Sequence, residues 1–299
     1  MLSICIPVYN VDVTKLVTDL LKQTQESKEP IELIIIDDAS DLKIKSINRL
    51  LSNFCQIIEL ETNVGRSKIR NLFVKETKNP YLLFLDCDSE IVSPTFISSY
   101  LAELKLRKPN VLFGGSIYQE IQPEKDKMLR WKTSRIRESK ALEERNSNFN
   151  SGFKTNNFII EKALLEKYSF NEKLKGYGHE DTLFAFELSQ AKIQICQCNN
   201  PVLNAHLDSN EEYLKKTDEA IKNLAEVLKI IHYDSDFIKQ IPLLKNYFLL
   251  KNSKLLIVLK PFFWMIKPSL NRFLKSGIFF LWMFDLYKLI GFTRLHVIK

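Results

Sequence analysis

This sequence predicts an α/β protein: an open, doubly wound, mixed but mainly parallel sheet with a helical C-terminal extension. Three observations predict it. Short runs that are apolar at every position alternate with segments whose apolar residues recur at helical spacing. That is the pattern of strands covered by helices on both faces. Three of these runs end in polar clusters, Tyr9-Asn10, Asp37-Asp38 and Asp86-Cys87-Asp88, and open α/β sheets bind ligands beyond the carboxyl ends of their strands. Residues 251–299 then turn basic and aromatic.

Taken in order, Ser3–Val8 reads as the first strand. Val13, Leu16, Val17, Leu20 and Leu21 set the face of a helix, and Leu33–Ile36 is a second strand. Leu42, Ile47, Leu50, Leu51 and Phe54 suggest another helix. Gln56–Leu60 and Tyr81–Leu85 are strands flanking a helix over Ser67–Glu76. From Glu124 to Asn150 the chain is polar and charged, which predicts an exposed helix and a mobile loop. Asn157–Leu165 is a strand running into a helix, and Glu180–Gln190 a helix with Leu183, Phe184 and Leu188 inward. Pro201–Ala205 is a short strand ending at His206, and Glu211–Ile231 a long amphipathic helix.

A chain of 299 residues with 45% hydrophobic content can bury a sizeable core. Gly is scarce, at 8 copies, so each Gly inside a motif is informative. Net charge is +7, yet residues 251–299 carry nine Lys or Arg against the single acid Asp285. The body is therefore close to neutral and the tail basic, which points the tail at a polyanion or an anionic membrane. Five Cys at irregular spacing predict strand thiols in a reducing cytosol rather than a disulfide framework. The N-terminus opens directly on a strand, with no charged leader or cleavage signal, so the body is expected in the cytoplasm.

Chemistry concentrates in a few places. Leu83-Phe84-Leu85 delivers Asp86 and Asp88 two residues apart at a strand end. Two such carboxylates suit Mg²⁺ or Mn²⁺, which take oxygen ligands and share them with substrate phosphates; the same pair alone is also an ordinary turn with solvated acids. Gly176 and Gly178 permit a tight loop before Glu180-Asp181. A helix N-terminus there stabilises the two carboxylates.

The motifs occur in a fixed order: Ser3-Ile4-Cys5-Ile6-Pro7-Val8-Tyr9-Asn10, then Ile36-Asp37-Asp38-Ala39-Ser40, Asn63-Val64-Gly65-Arg66 with Arg70-Asn71, Asp86-Cys87-Asp88, and Gly176-Tyr177-Gly178-His179-Glu180-Asp181. In this order they resemble the family 2 glycosyltransferases of the GT-A fold, over roughly residues 1–210. The resemblance implies an enzyme that moves one sugar from a nucleotide-diphosphate sugar, UDP foremost, to an acceptor hydroxyl with inversion. It implies a donor site at Pro7, Tyr9, Asp38, Arg66, Arg70 and Asp86, with Asp37 holding the loop. One of the two arginines is expected to brace the site. Asp88 is similar to the family's metal ligand for Mn²⁺ or Mg²⁺, and His206 to a His that completes the site in some members; a lone His is otherwise structural. Asp181 is similar to the general base and Glu180 to its partner. Asn157, Gly178 and His179 fall on the acceptor side, though His179 has a packing alternative. The domains implied are 1–210, catalytic, with nucleotide-sugar binding over 1–115 and the acceptor side over 116–210, and 211–299, helical.

Leu255–Leu259, Phe262–Ile266 and Ile278–Phe284 are apolar, broken by Lys, Arg and Pro. None is long enough for a bilayer core of about 30 Å. Residues 253–299 read as helices lying on the inner face of a membrane, which would suit a glycan or lipid-linked acceptor; the alternative is a helical subdomain or an oligomer contact. The aliphatic content of this tail fits lipid better than nucleic acid. Other functions are a non-catalytic scaffold of the same fold, against which Asp88, Glu180 and Asp181 stand intact, and a sugar nucleotidyltransferase, against which the N-terminal strand end lacks a Gly-rich phosphate loop. There is no Q-x-x-R-W motif of processive synthases, which favours addition of a single sugar.

Overall fold

The computed structural model describes residues 1–146 and 152–295. Residues 147–150 of the expected mobile loop and 296–299 of the expected membrane tail lie outside the described residues. The chain forms two compact units, 1–119 with 138–175 and 180–206, and 120–137 with 176–179 and 207–299.

The first unit begins with β1 (Leu2–Val8), α1 (Thr14–Gln25), β2 (Ile31–Asp37), α2 (Leu42–Asn48), β3 (Gln56–Glu59), α3 (Arg66–Glu76) and β4 (Tyr81–Leu85). It continues through β5 (Ser89–Ile91), α4 (Phe96–Arg107), β6 (Val111–Phe113) and β7 (Ser116–Ile117). After α5 (Met128–Thr133), which belongs to the second unit, come α6 (Leu142–Asn146), β8 (Asn157–Glu161), α7 (Lys162–Lys167), α8 (Glu180–Gln190), β9 (Ile195–Gln197) and β10 (Val202–Asn204).

Seven strands form one sheet in the order β3-β2-β1-β4-β8-β6-β9. All run in parallel except β8, which is antiparallel to β4 and β6. The central strands are apolar throughout because both faces are covered. Side chains alternate across the sheet: Ile4, Ile6, Leu33 and Ile35 pack against α1 and α4, while Cys5, Ile34, Ile36 and Phe84 pack against α3, α7 and α8. The abundant Phe fill the second face. Phe84 stacks on Phe158 at 5.1 Å and Phe170 on Phe184 at 4.2 Å.

Two expectations need correction. The helix expected over Leu42–Phe54 stops at Asn48 and continues as a single 3-10 turn, Arg49–Leu51. Buried Asn48 fixes it by accepting from the Val13 amide and donating to the Val11 carbonyl, so Leu42, Leu50 and Phe54 stay exposed. The helix expected to be exposed after Glu124 is instead α5, which buries Met128 and Leu129.

The second unit is helical: α5, α9 (Asn210–Ile230), α10 (Ser235–Gln240), α11 (Pro242–Asn252), α12 (Leu255–Ser276) and α13 (Leu281–Arg294). Ser209 and Glu212 close a capping box at the start of α9. Asn210 then takes the Leu129 amide on its Oδ1 and donates to the carbonyls of Lys125 and Lys275. Leu214, Leu270, Leu274 and Ile290 centre the core. Gly277 ends α12 at φ +76°, where a Cβ would run into the Lys125 carbonyl. Replacing Gly277 with Ala therefore combines backbone strain with a steric conflict. The variant is expected to lose about 1–3 kcal/mol, read as a lower midpoint in urea.

Candidate active site

The site is built on the edge where β1, β2 and β4 end. Parallel pairing of β1 with both neighbours brings Tyr9, Asp38 and Asp86 to one side of the sheet. Asn10, at φ +55°, donates its amide to Ser40 Oγ and accepts from the Asp41 amide, locking the first two strand ends together. Pro7 is half-buried and the Tyr9 ring is 53% exposed. The Tyr9 amide reaches the Cys87 sulfur. Asp37 holds its own turn, accepting from the Ser40 amide. Asp38 is buried, with its two oxygens taken by the amides of Val64 and Gly65 at 2.6 and 3.0 Å. The base contact expected of Asp38 would have to share those oxygens.

By gripping that turn, Asp38 sets the start of α3, which carries Arg66 and Arg70 one turn apart. Arg66 lies 3.3 Å from Glu180 and is 44% exposed. Arg70 is 2% exposed. Its Nη2 donates to Asp86 Oδ1 at 3.0 Å, and Nη1 donates to the Arg66 carbonyl and stands 3.8 Å from Glu180. Of the two arginines expected to contact the donor or brace its site, Arg70 is the one sealed from solvent and facing two acids.

Asp88 has its carboxyl pushed above the ordinary range, first by burial and then by the negative charge of Asp86; Arg66 and His206 act in the opposite sense. His206 reaches Asp88 because β10 pairs antiparallel with β5, Asn204 facing Ser89, so the residues after Asn204 return to the Asp86–Asp88 turn. Among the described residues no three His, Cys, Asp or Glu side chains form a ready metal cage. Asp86 and Asp88 nonetheless suit a hard divalent cation, which needs only one or two carboxylates when phosphates complete its shell. Their mutual repulsion is what such a cation relieves. Cys87, between them, has its thiol pushed up to about 12 by burial and the two acids.

On the other side of Arg70, Glu180 and Asp181 open α8 and both are buried. Asp181 Oδ1 accepts from the Thr182 amide and hydroxyl, while Oδ2 pairs with Lys154 Nζ at 3.0 Å. Sequence reasoning missed Lys154. Its only signal is position, since it stands just before β8, whose first residue pairs with Leu85 at the end of β4. Asn157, expected on the acceptor side, opens β8 and uses its side chain on three protein partners. It is fully buried, its Oδ1 accepting the Tyr100 hydroxyl at 2.6 Å and its Nδ2 donating to the carbonyls of Gly115 and Asn200. Gly178 and His179 belong to the second unit, where both have positive φ and Asn223 of α9 donates to the Tyr177 and Gly178 carbonyls.

Two predictions follow from burial. Arg70→Met takes the cation from half-buried Asp86 and leaves Glu180 with Arg66, at a cost of about 1–3 kcal/mol; Arg70→Lys keeps the charge and should recover part of the melting temperature. Asp88→Asn removes a charge the fold disfavours, so without ligand its melting temperature near neutral pH is expected to match or exceed wild type. The gain should shrink as pH falls through the raised Asp88 pKa, because the wild-type carboxyl is then neutral too. Melting curves across pH check both.

The sequence profile of glycosyl transferase family 2 matches residues 3–169. A poly(ribitol-phosphate) beta-glucosyltransferase of Bacillus spizizenii is 32% identical over 105 residues, 33% of this chain and 16% of its own length. The chain spans 13% to 37% of the length of four other curated relatives it matches. A mannosyltransferase of Pyrobaculum calidifontis, solved in complex with GDP-Man and Mn²⁺, superposes with a TM-score of 0.58 at 12% identity, over 97% of this chain and 85% of its own. Glucosyl-3-phosphoglycerate synthase of Mycobacterium tuberculosis, solved with Mn²⁺, UDP and glucosyl-3-phosphoglycerate, gives a TM-score of 0.51 at 16% identity, over 77% and 79%. Likeness at such identity speaks for the GT-A fold. With the family profile spanning more than half its length, this chain belongs to glycosyl transferase family 2.

Proposed function

We propose that the chain transfers a single sugar from a nucleotide-diphosphate sugar, a UDP-sugar foremost, to a hydroxyl of a glycan or lipid-linked saccharide. The observation that carries this reading is the charged line from Asp86 through Arg70 to Glu180, which ties the Asp86–Asp88 carboxylates to the Glu180–Asp181 pair. Pro7 and the exposed Tyr9 ring line the base and ribose, and Asp38 keeps the neighbouring turn in place. Asp86 faces the ribose or sugar. Asp88, with His206, would hold Mn²⁺ or Mg²⁺. A divalent cation bound there supplies positive charge to the departing diphosphate. Arg66, half in solvent, adds a second positive group on that side.

Asp181 serves as the base. Lys154 pairs with its Oδ2 at 3.0 Å and fixes the orientation of the carboxylate. The acceptor hydroxyl gives its proton to the Asp181 carboxylate while its oxygen bonds to the anomeric carbon. The bond from that carbon to the diphosphate breaks, and a single displacement inverts the centre. Glu180 orients the acceptor, and Gly178 and His179, which precede it in the chain, contact it. Lys154 beside the base favours an acceptor that carries a phosphate near the reacting hydroxyl. A polyol-phosphate chain of the kind named for the Bacillus relative has that chemistry. The acceptor is met at a membrane surface by residues 253–299.

Thermal melting with UDP, GDP, CMP and dTDP, each with and without Mn²⁺, tests the donor half. One nucleotide is expected to stabilise the chain only with metal, by about 2.7 kcal/mol at a hundredfold excess over its dissociation constant, and Asp88→Asn should lose the effect. No shift with any nucleotide would overturn the reading. For the acceptor half, Asp181→Asn should keep the nucleotide shift and lose turnover by about 10²- to 10⁴-fold.

A further inference from the structure

Helix α12 is apolar on two opposite sides. Its inward stripe, Phe263, Leu270 and Leu274, is buried in the core of the second unit. Val258, Phe262 and Met265 recur at helical spacing on the outward side, yet Val258 is 74% and Met265 69% exposed. Beyond Gly277 the chain adds Phe280 and Trp282, also mostly exposed. Scattered apolar residues at a surface are ordinary, but a continuous apolar strip marks a binding face.

The charges around the strip say what binds there. Lys254, Lys260 and Arg272 stand around it on α12 and its cap, while Lys275 is paired with Glu211 at 3.1 Å. The one acid that residues 251–299 contribute, Asp285, is held by Arg137 and by Lys288 at 3.0 Å. Lys260 lies over the Trp264 ring at 6.0 Å, the arrangement of a basic side chain running along an aromatic with its head toward water. A second copy of the chain would set one positive rim against another across a twofold contact. No helix among the described residues is long and apolar enough to cross a bilayer.

We propose that the outward face of α12, extended by Phe280 and Trp282, lies in the headgroup region of an anionic lipid bilayer, with the apolar strip in the acyl boundary and the rim on the headgroups. This deepens the membrane part of the proposed function and does not depend on the transfer chemistry.

The test is flotation of the full chain with vesicles of phosphatidylcholine alone or mixed with phosphatidylglycerol. Binding is expected to be about tenfold or more tighter to the mixed vesicles and to weaken with salt. Val258→Glu with Phe262→Glu should abolish it, and Lys260→Gln with Arg272→Gln should remove the preference for phosphatidylglycerol. None of these residues is among the donor residues, so an unchanged nucleotide shift together with an unchanged circular dichroism spectrum shows that the variants are folded. Equal or absent binding to both vesicles would overturn the proposal. So would a concentration-dependent dimer, seen by light scattering, that Val258→Glu with Phe262→Glu disperses, because a second copy would then cover the face.

Discussion

A guanidinium out of reach of water must be neutralised where it stands, and the first unit is arranged around that requirement at Arg70. Asp86 arrives from the end of β4, Glu180 from the start of α8, and Arg70 from the first turns of α3. α3 and β4 follow one another in the chain while α8 comes about a hundred residues later, yet each supplies one charge to the same buried point. Arg70 is the one fully buried member, and losing both of its acids would leave it desolvated and unpaired, a far larger penalty than losing a surface ion pair. The same contact that neutralises the guanidinium also fixes where the two carboxylates stand.

The antiparallel strand β8 performs the complementary task in neutral groups. Running against β4 and β6, it places its first residues at the edge where its neighbours end. The backbone of Asn156 accepts from the Asp86 amide, and the Asn157 side chain closes three hydrogen bonds beneath. Asp86 is therefore held from two directions, by charge through its side chain and by a strand through its backbone.

Much of this was legible before the structure. The strands announce themselves because burial on both faces leaves no room for polar residues, and Ile34-Ile35-Ile36 can be little else. The acids at strand ends were legible as well, because three polar clusters following three apolar runs fall on one edge of a parallel sheet. What could not be read was the sorting of polar residues into those that face solvent and those that do not. Arg66 and Arg70 look alike in the sequence, and only the turn of α3 separates the 44% exposed from the buried one. The burial of Asn157 could not be read either, because its partners Tyr100, Gly115 and Asn200 come from other parts of the chain. Lys154 gave no signal because its partner lies far along the chain and meets it only through β8. The helix after Leu42 ran short because a buried amide, not an apolar face, anchors it.

Cys87 sits between the two acids of the Asp86–Asp88 turn, in a place where a thiolate would compete for any cation. Burial and the flanking carboxylates keep it a neutral thiol at cellular pH, with its pKa pushed up to about 12. A protonated sulfur is a poor ligand. A thiol held in that state is also slow to react, because the thiolate and not the thiol is the nucleophile, so the turn carries a cysteine without carrying its reactivity.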